Sequence, residues 1–90
     1  MKVFFERQFL KEVTEISRKS LRIAVEKTIL NVENANSISE IVNFKKLKGS
    51  KEAYRIRVGD YRIGIYFFDN QIVFARILHR KEIYRYFPKK

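Results

Sequence analysis

Apolar residues recur with helical spacing in the first half of the chain and with strand-like alternation in the second, the change falling near residue 43. Val3-Phe4-Phe5 reads as a short strand. From about Arg7, Phe9, Leu10, Val13 and Ile16 fall on one face of a helix. Leu21, Ala24, Val25, Thr28, Ile29 and Val32 then follow the i, i+3, i+4, i+7 rule, which predicts a second amphipathic helix. Only Ser17-Arg18-Lys19-Ser20 separates the two, so an antiparallel hairpin is expected. Asn34-Ala35-Asn36 ends the second helix. Ser37 and Glu40 have capping-box spacing, predicting a brief helical turn over Ile38–Val42. After Lys48-Gly49-Ser50 three alternating runs appear: Ala53–Val58, Tyr61–Phe68 and Gln71–His79. Gly59-Asp60 and Asp69-Asn70 between them carry tight-turn chemistry, so the runs predict an antiparallel meander. The expected architecture is α+β: an N-terminal helical hairpin on one face of a small, mainly antiparallel sheet, in a single domain over 1–90.

Alternation sorts the strands into two faces. Tyr54, Ile56, Val58, Tyr61, Ile63, Ile65, Phe67, Ile72, Phe74 and Leu78 form the face under the helices. Arg55, Arg57, Arg62, Gly64, Tyr66, Val73, Ala75, Ile77 and His79 form the other. Two-residue turns set Val58 opposite Tyr61, hence Arg57 opposite Arg62. They also set Phe68 opposite Gln71, hence Gly64 near Ala75 and Arg62 near Ile77. Two arginines facing each other destabilise a sheet unless an anion sits between them. Gly64 and Ala75 would leave a shallow floor beside them, with the Tyr66 ring as a platform for a base. Strict alternation drives Arg76 into the core. A rim position, a snorkelling side chain or a bulge would each relieve that, and a bulge before it would also move His79 to the other face. The tail from His79 to Pro88 adds basic and aromatic groups at the edge of the arginine face; packing of Ile83, Tyr84 and Phe87 on the core is the competing role for part of it.

Composition narrows the chemistry. Twenty Lys and Arg stand against ten Asp and Glu, a formal net charge of +10, which points to a polyanionic partner. The chain has no cysteine, which removes disulfides and thiolate chemistry, and one histidine, His79, too few for a dedicated transition-metal site. No apolar run approaches the ~20 residues that span a bilayer, and Met1–Glu6 turns charged at once. The expectation is a cytoplasmic protein with no membrane partner, no metal and no cofactor.

Three segments together resemble the RelE/ParE toxin superfamily: Lys46-Leu47-Lys48-Gly49, then Tyr54-Arg55-Ile56-Arg57-Val58-Gly59-Asp60-Tyr61-Arg62-Ile63, then His79-Arg80-Lys81-Glu82-Ile83-Tyr84-Arg85. The likeness covers nearly the whole chain. It implies a toxin of a type II toxin–antitoxin system, neutralised by a cognate antitoxin. RelE-type members are ribosome-dependent endoribonucleases that cut mRNA without a metal; ParE-type members inhibit DNA gyrase instead. The positions of RelE-type active sites fall here on Arg55 and Arg57, Arg62, Arg80 and Tyr84. Arg57, Arg62, Arg80, Tyr84 and His79 are therefore the candidate catalytic residues, with Lys46, Lys48, Arg55, Tyr66, Lys81 and Arg85 as candidate RNA contacts. The best-known RelE toxins carry lysines where this chain has Arg55 and Arg57. An arginine stays protonated, so the proton acceptor is left among Tyr84, His79 and Glu82. A gyrase inhibitor and a non-catalytic RNA-binding module are the alternatives.

Overall fold

The two sequence periods become two layers. A computed structural model of the chain describes residues 1–88. Its elements are β1 (Lys2–Phe5), α1 (Arg7–Thr14), α2 (Lys19–Asn34), a 3-10 turn (Ile38–Glu40), β2 (Phe44–Lys46), β3 (Ala53–Val58), β4 (Tyr61–Phe68), β5 (Gln71–His79) and α3 (Ile83–Tyr86). One five-stranded sheet runs in the order β1-β5-β4-β3-β2. All neighbours are antiparallel except β1, which pairs parallel to β5. The fold is the predicted α+β sandwich, with one strand more than the expected meander and its N-terminal strand. That strand, β2, has only three residues and pairs Phe44 with Ile56.

The helices bury the stripes that the pattern marked. Phe9 and Ile16, with Leu21, Val25 and Val32 from α2, close over Ile56, Ile63, Ile65, Ile72 and Phe74 of the sheet. Phe5, Phe9 and Phe74 form an aromatic run, with ring centroids 5.1 Å apart for Phe5–Phe74 and 5.3 Å for Phe9–Phe74. α1 lies along β5, and α2 crosses the sheet to touch both β3 and β1. The hairpin turns behave as their residues demand. Asp69 (φ 51°) and Asn70 (φ 57°) are both left-handed, as a type I′ turn requires, and Gly59 takes φ 58° at the β3–β4 corner.

The expected register holds at Val58–Tyr61, Arg57–Arg62 and Phe68–Gln71. It breaks on β5. Ile65 faces Phe74 but Gly64 faces Arg76, so Ala75 is an extra residue, a β-bulge. Past it the alternation inverts. Arg62 faces Leu78 rather than Ile77, and Gly64 faces Arg76 rather than Ala75. Ile77 turns into the main core, 2% exposed, and Leu78 joins the opposite face. His79 crosses to the helical side, against Tyr61. The bulge also explains Arg76, which sits at the sheet's edge instead of in the core.

That edge is closed by a carboxylate. β1 stops pairing at Phe5–Phe74, and the Glu6 N–H donates to the Phe74 carbonyl at 2.9 Å. Beyond it β5 has no strand neighbour on that side. Glu12 of α1 takes the strand's place: its Oε1 accepts from the Ile77 N–H at 2.9 Å, while Oε2 accepts from Arg76 Nη2 at 2.6 Å and Nε at 3.0 Å. Glu12 is 6% exposed, so removing it leaves a buried N–H unsatisfied and Arg76 unpaired. Glu12→Ala is expected to destabilise the fold by about 2–4 kcal/mol in urea unfolding, with Glu12→Gln intermediate because it can still accept from Ile77. A Glu12→Ala midpoint equal to that of the wild type would refute this role.

Candidate functional site

The sheet face turned away from the helices gathers cations. β3 contributes Arg55 and Arg57, and β4 contributes Arg62 directly opposite Arg57. Each is held by oxygens of nearby turns. Arg62 Nη1 donates to the carbonyls of Gly59 and Tyr61, both at 2.9 Å. Arg55 Nη1 donates to the Asn43 carbonyl at 3.2 Å, and Arg57 Nη2 to its Oδ1 at 3.3 Å. Asn43 ends the loop before β2 in a left-handed conformation, φ 61°, which asparagine tolerates better than most residues. Its part in the site was not foreseen. Its one sequence signal is an asparagine between an apolar run and a basic strand.

The chain's C-terminal part completes the group. The Arg80 N–H donates to the Asp60 carbonyl at 2.8 Å, docking the end of β5 on the β3–β4 turn. α3 then presents Tyr84, 54% exposed. The same groups bear on Arg62 electrostatically. The Arg62 guanidinium is held below its ordinary value, first by burial and then by the charge of Arg55, with Arg57 and Arg80 adding to it; Tyr84 acts in the opposite sense. Among the described residues no carboxylate acts on it. Among the described residues the one ion pair is Arg76–Glu12, at the other side of β5. Four guanidinium groups with no counter-charge among the described residues favour an anion between them.

Several expected members stand elsewhere. His79 lies on the helical side, its ring edge-on to Tyr61 with centroids 5.6 Å apart and its Nδ1 accepting from the Lys81 N–H at 3.1 Å. It borders a separate cleft with Glu15, Arg18, Leu21 and Asp60. The bulge at Ala75 is the cause. Lys46 faces Tyr54, with its ammonium over that ring, so it too is on the helical side; Lys45, unnoticed in the sequence, is the residue opposite Arg55. Lys48 is exposed in the β2–β3 connection, and Lys81 is exposed after β5. Tyr66 does lie on the arginine face, but its ring packs on Phe87 with centroids 5.0 Å apart. With Arg85, Arg7, Arg76 and Tyr86 it lines a groove of about 700 Å³. The open floor expected at Gly64 and Ala75 is filled: Phe87 and Ile83 pack there with Ala53 and Ala75 in a second small core.

Comparison with known proteins identifies the family and the fold. Residues 3–84 match the family model described as the ParE toxin of the type II toxin–antitoxin system parDE. The chain belongs to the RelE/ParE toxin family of type II toxin–antitoxin systems. Within it, the chain is 42% identical to Toxin RelE3 of Methanocaldococcus jannaschii, over 98% of this chain and all of that one. It superposes on the toxin in the crystal structure of the RelB–RelE antitoxin–toxin complex from Methanococcus jannaschii with a TM-score of 0.80, at 40% identity over 94% of this chain and 99% of the other. The isolated E. coli RelE toxin shares the fold, with a TM-score of 0.66 at 18% identity over 87% of this chain and 82% of the other.

The opposed pair Arg57–Arg62 carries a measurable cost. In low salt Arg57→Gln is expected to raise stability by about 0.2–1 kcal/mol, the gain fading in molar salt as the charges are screened. Urea unfolding at the two salt concentrations checks it; a loss of stability in low salt would show that the Asn43 contact outweighs the repulsion.

Proposed function

We propose that the chain is the toxin of a type II pair that cuts ribosome-bound mRNA by attack of the RNA's own 2′-OH on the adjacent phosphate, and that a cognate antitoxin restrains it. The observation that carries this reading is the convergence of Arg55, Arg57, Arg80 and Tyr84 on Arg62 with no carboxylate among them. In-line attack creates a pentacovalent phosphorane with two negative charges. Guanidinium groups fixed beforehand at that place stabilise it more than the ground state, which is the requirement for rate acceleration. Arg62 is the best placed of them. It is partly buried, crowded by like charge and anchored on two carbonyls, so a dianion relieves more repulsion there than at exposed Arg57.

Protons need a separate carrier, because arginines do not release theirs. His79 faces the other side of the sheet, and neither it nor Glu82 is among the groups acting on Arg62. Tyr84 is, and its hydroxyl is the group assigned to hand a proton to the leaving 5′-oxygen as the P–O5′ bond breaks, while the attacking 2′-OH gives up its own proton to water. The cationic charge at the phosphate comes from side chains. Among the described residues no three His, Cys, Asp or Glu cluster as metal ligands. The antitoxin reading draws on the RelB-bound relative, on the net charge of +10, which suits an acidic partner, and on apolar Leu10, Ile23 and Leu30 left exposed on the helices. Among the described residues no helix is long and apolar enough to cross a membrane; on this reading the protein acts in the cytoplasm, where its ribosomal target is.

The match to the ParE model favours a second reading, inhibition of DNA gyrase without nuclease activity. Primer extension on a reporter mRNA in a translating extract separates the two. Wild-type protein is expected to cut within codons; Arg62→Ala is expected to cut about 10²–10³-fold more slowly while keeping its fold. His79→Ala is expected to cut like the wild type. Undiminished cutting by Arg62→Ala would overturn the site assignment. Intact mRNA with a folded, toxic wild-type protein and blocked DNA supercoiling would establish the gyrase reading.

A further inference from the structure

Gly64 is buried two residues beyond Arg62 on the same face of β4, opposite Arg55 on one side and Arg76 on the other. Its backbone is not in the left-handed region, so conformation does not call for glycine there. Space does. A β-carbon at Gly64 would fall 2.6 Å from two carbons of the Phe87 ring and 2.8 Å from a third, well inside any real contact. The ring lies flat against bare backbone. Ala53 and Ala75 flank it with small side chains, and Tyr66 covers it.

This seat holds a segment that cannot hold itself. α3 has four residues and no side-chain cap, far below the length at which a helix is stable alone. Ile83 and Phe87 anchor its two ends, at 0% and 2% exposure, and the Phe87 N–H donates to the Ile83 carbonyl at 2.9 Å. Arg76, fixed by Glu12, adds a cation–π contact to Tyr86, 5.2 Å from the ring centroid. Tyr84 makes none of these contacts. It stays exposed at the end of the arginine cluster, and its place there is set by its neighbours.

We propose that Phe87 is a positioning residue: its ring, seated on Gly64, fixes α3 so that Tyr84 stands beside Arg62. The kinetic half of the test rests on the nuclease reading; the structural half does not. In single-turnover cutting of ribosome-bound mRNA, Phe87→Ala and Gly64→Ala are expected to lower the rate at saturation about 10–100-fold with little change in half-saturation, because a misplaced group loses transition-state contact rather than binding. Phe87→Leu, which keeps an apolar plug, retains more activity than either. Tyr84→Ala costs its full effect in the wild type but less than about threefold in the Phe87→Ala background, where Tyr84 is already displaced. Full and additive losses would overturn the proposal. In parallel, fluorine NMR of fluorotyrosine-labelled protein follows the Tyr84 resonance, assigned through Tyr84→Phe. It is expected to shift in Gly64→Ala and Phe87→Ala. An unmoved resonance in folded Gly64→Ala overturns the proposal whether or not mRNA is cut. If wild-type protein leaves mRNA intact, the nuclease reading falls and the resonance alone decides on Phe87.

Discussion

The two faces of this sheet owe their contents to Ala75, the residue by which β5 is longer than its partner requires. A strand is a strict alternator, and a single inserted residue exchanges everything that follows. Without the bulge, Arg76 would be driven into the aliphatic core beside Ile63 and Ile65. With it, Ile77 fills that place, Arg76 reaches the edge to meet Glu12, and Leu78 turns to support Ile83 and Phe87. Edge closure by Glu12, the second small core and the approach of Arg80 to the β3–β4 turn all lie downstream of that one shift.

The arginine face is arranged at the expense of the fold that carries it. Arg57 and Arg62 occupy a directly opposed pair, where the sheet would be steadier with unlike or apolar residues. Backbone carbonyls of Asn43, Gly59 and Tyr61 moderate the repulsion without neutralising it. A dipole oriented toward a cation leaves the net charge in place for an incoming phosphate, whereas a carboxylate would cancel it. The contrast with Arg76 is instructive. That arginine is fully paired with Glu12 and serves architecture, so identical side chains on neighbouring strands do different work because of what their loops and helices put beside them.

The legible part of the molecule was whatever follows from local pattern. Alternation and two-residue turns were enough to set Arg57 against Arg62, since Gly59-Asp60 and Asp69-Asn70 leave little freedom in register. Helical spacing picked out Leu21, Val25 and Val32. What stayed hidden depends on contacts distant in sequence. β2 is too short to show a period, and its pairing is visible only once β3 exists, so Lys46 is a candidate without a face and Lys45 goes unnoticed. The bulge has no local signature beyond the misfit of Arg76, which raised the question without answering it. The hollow at Gly64 looked open because its occupant, Phe87, lies 23 residues away and comes from a segment with no periodicity of its own.

The parallel pairing of β1 with β5 bears on how such a protein is made. Lys2–Phe5 are made well before their partners Gln71–Phe74, and Tyr84 follows later still. The pairing joins residues 69 positions apart, a topology of long loops that closes late and slowly. A nascent chain therefore has no complete core to hold its arginines together until β5 has been made. The order of synthesis itself withholds the arginine face until β5 is there to join β1 on one side and β4 on the other.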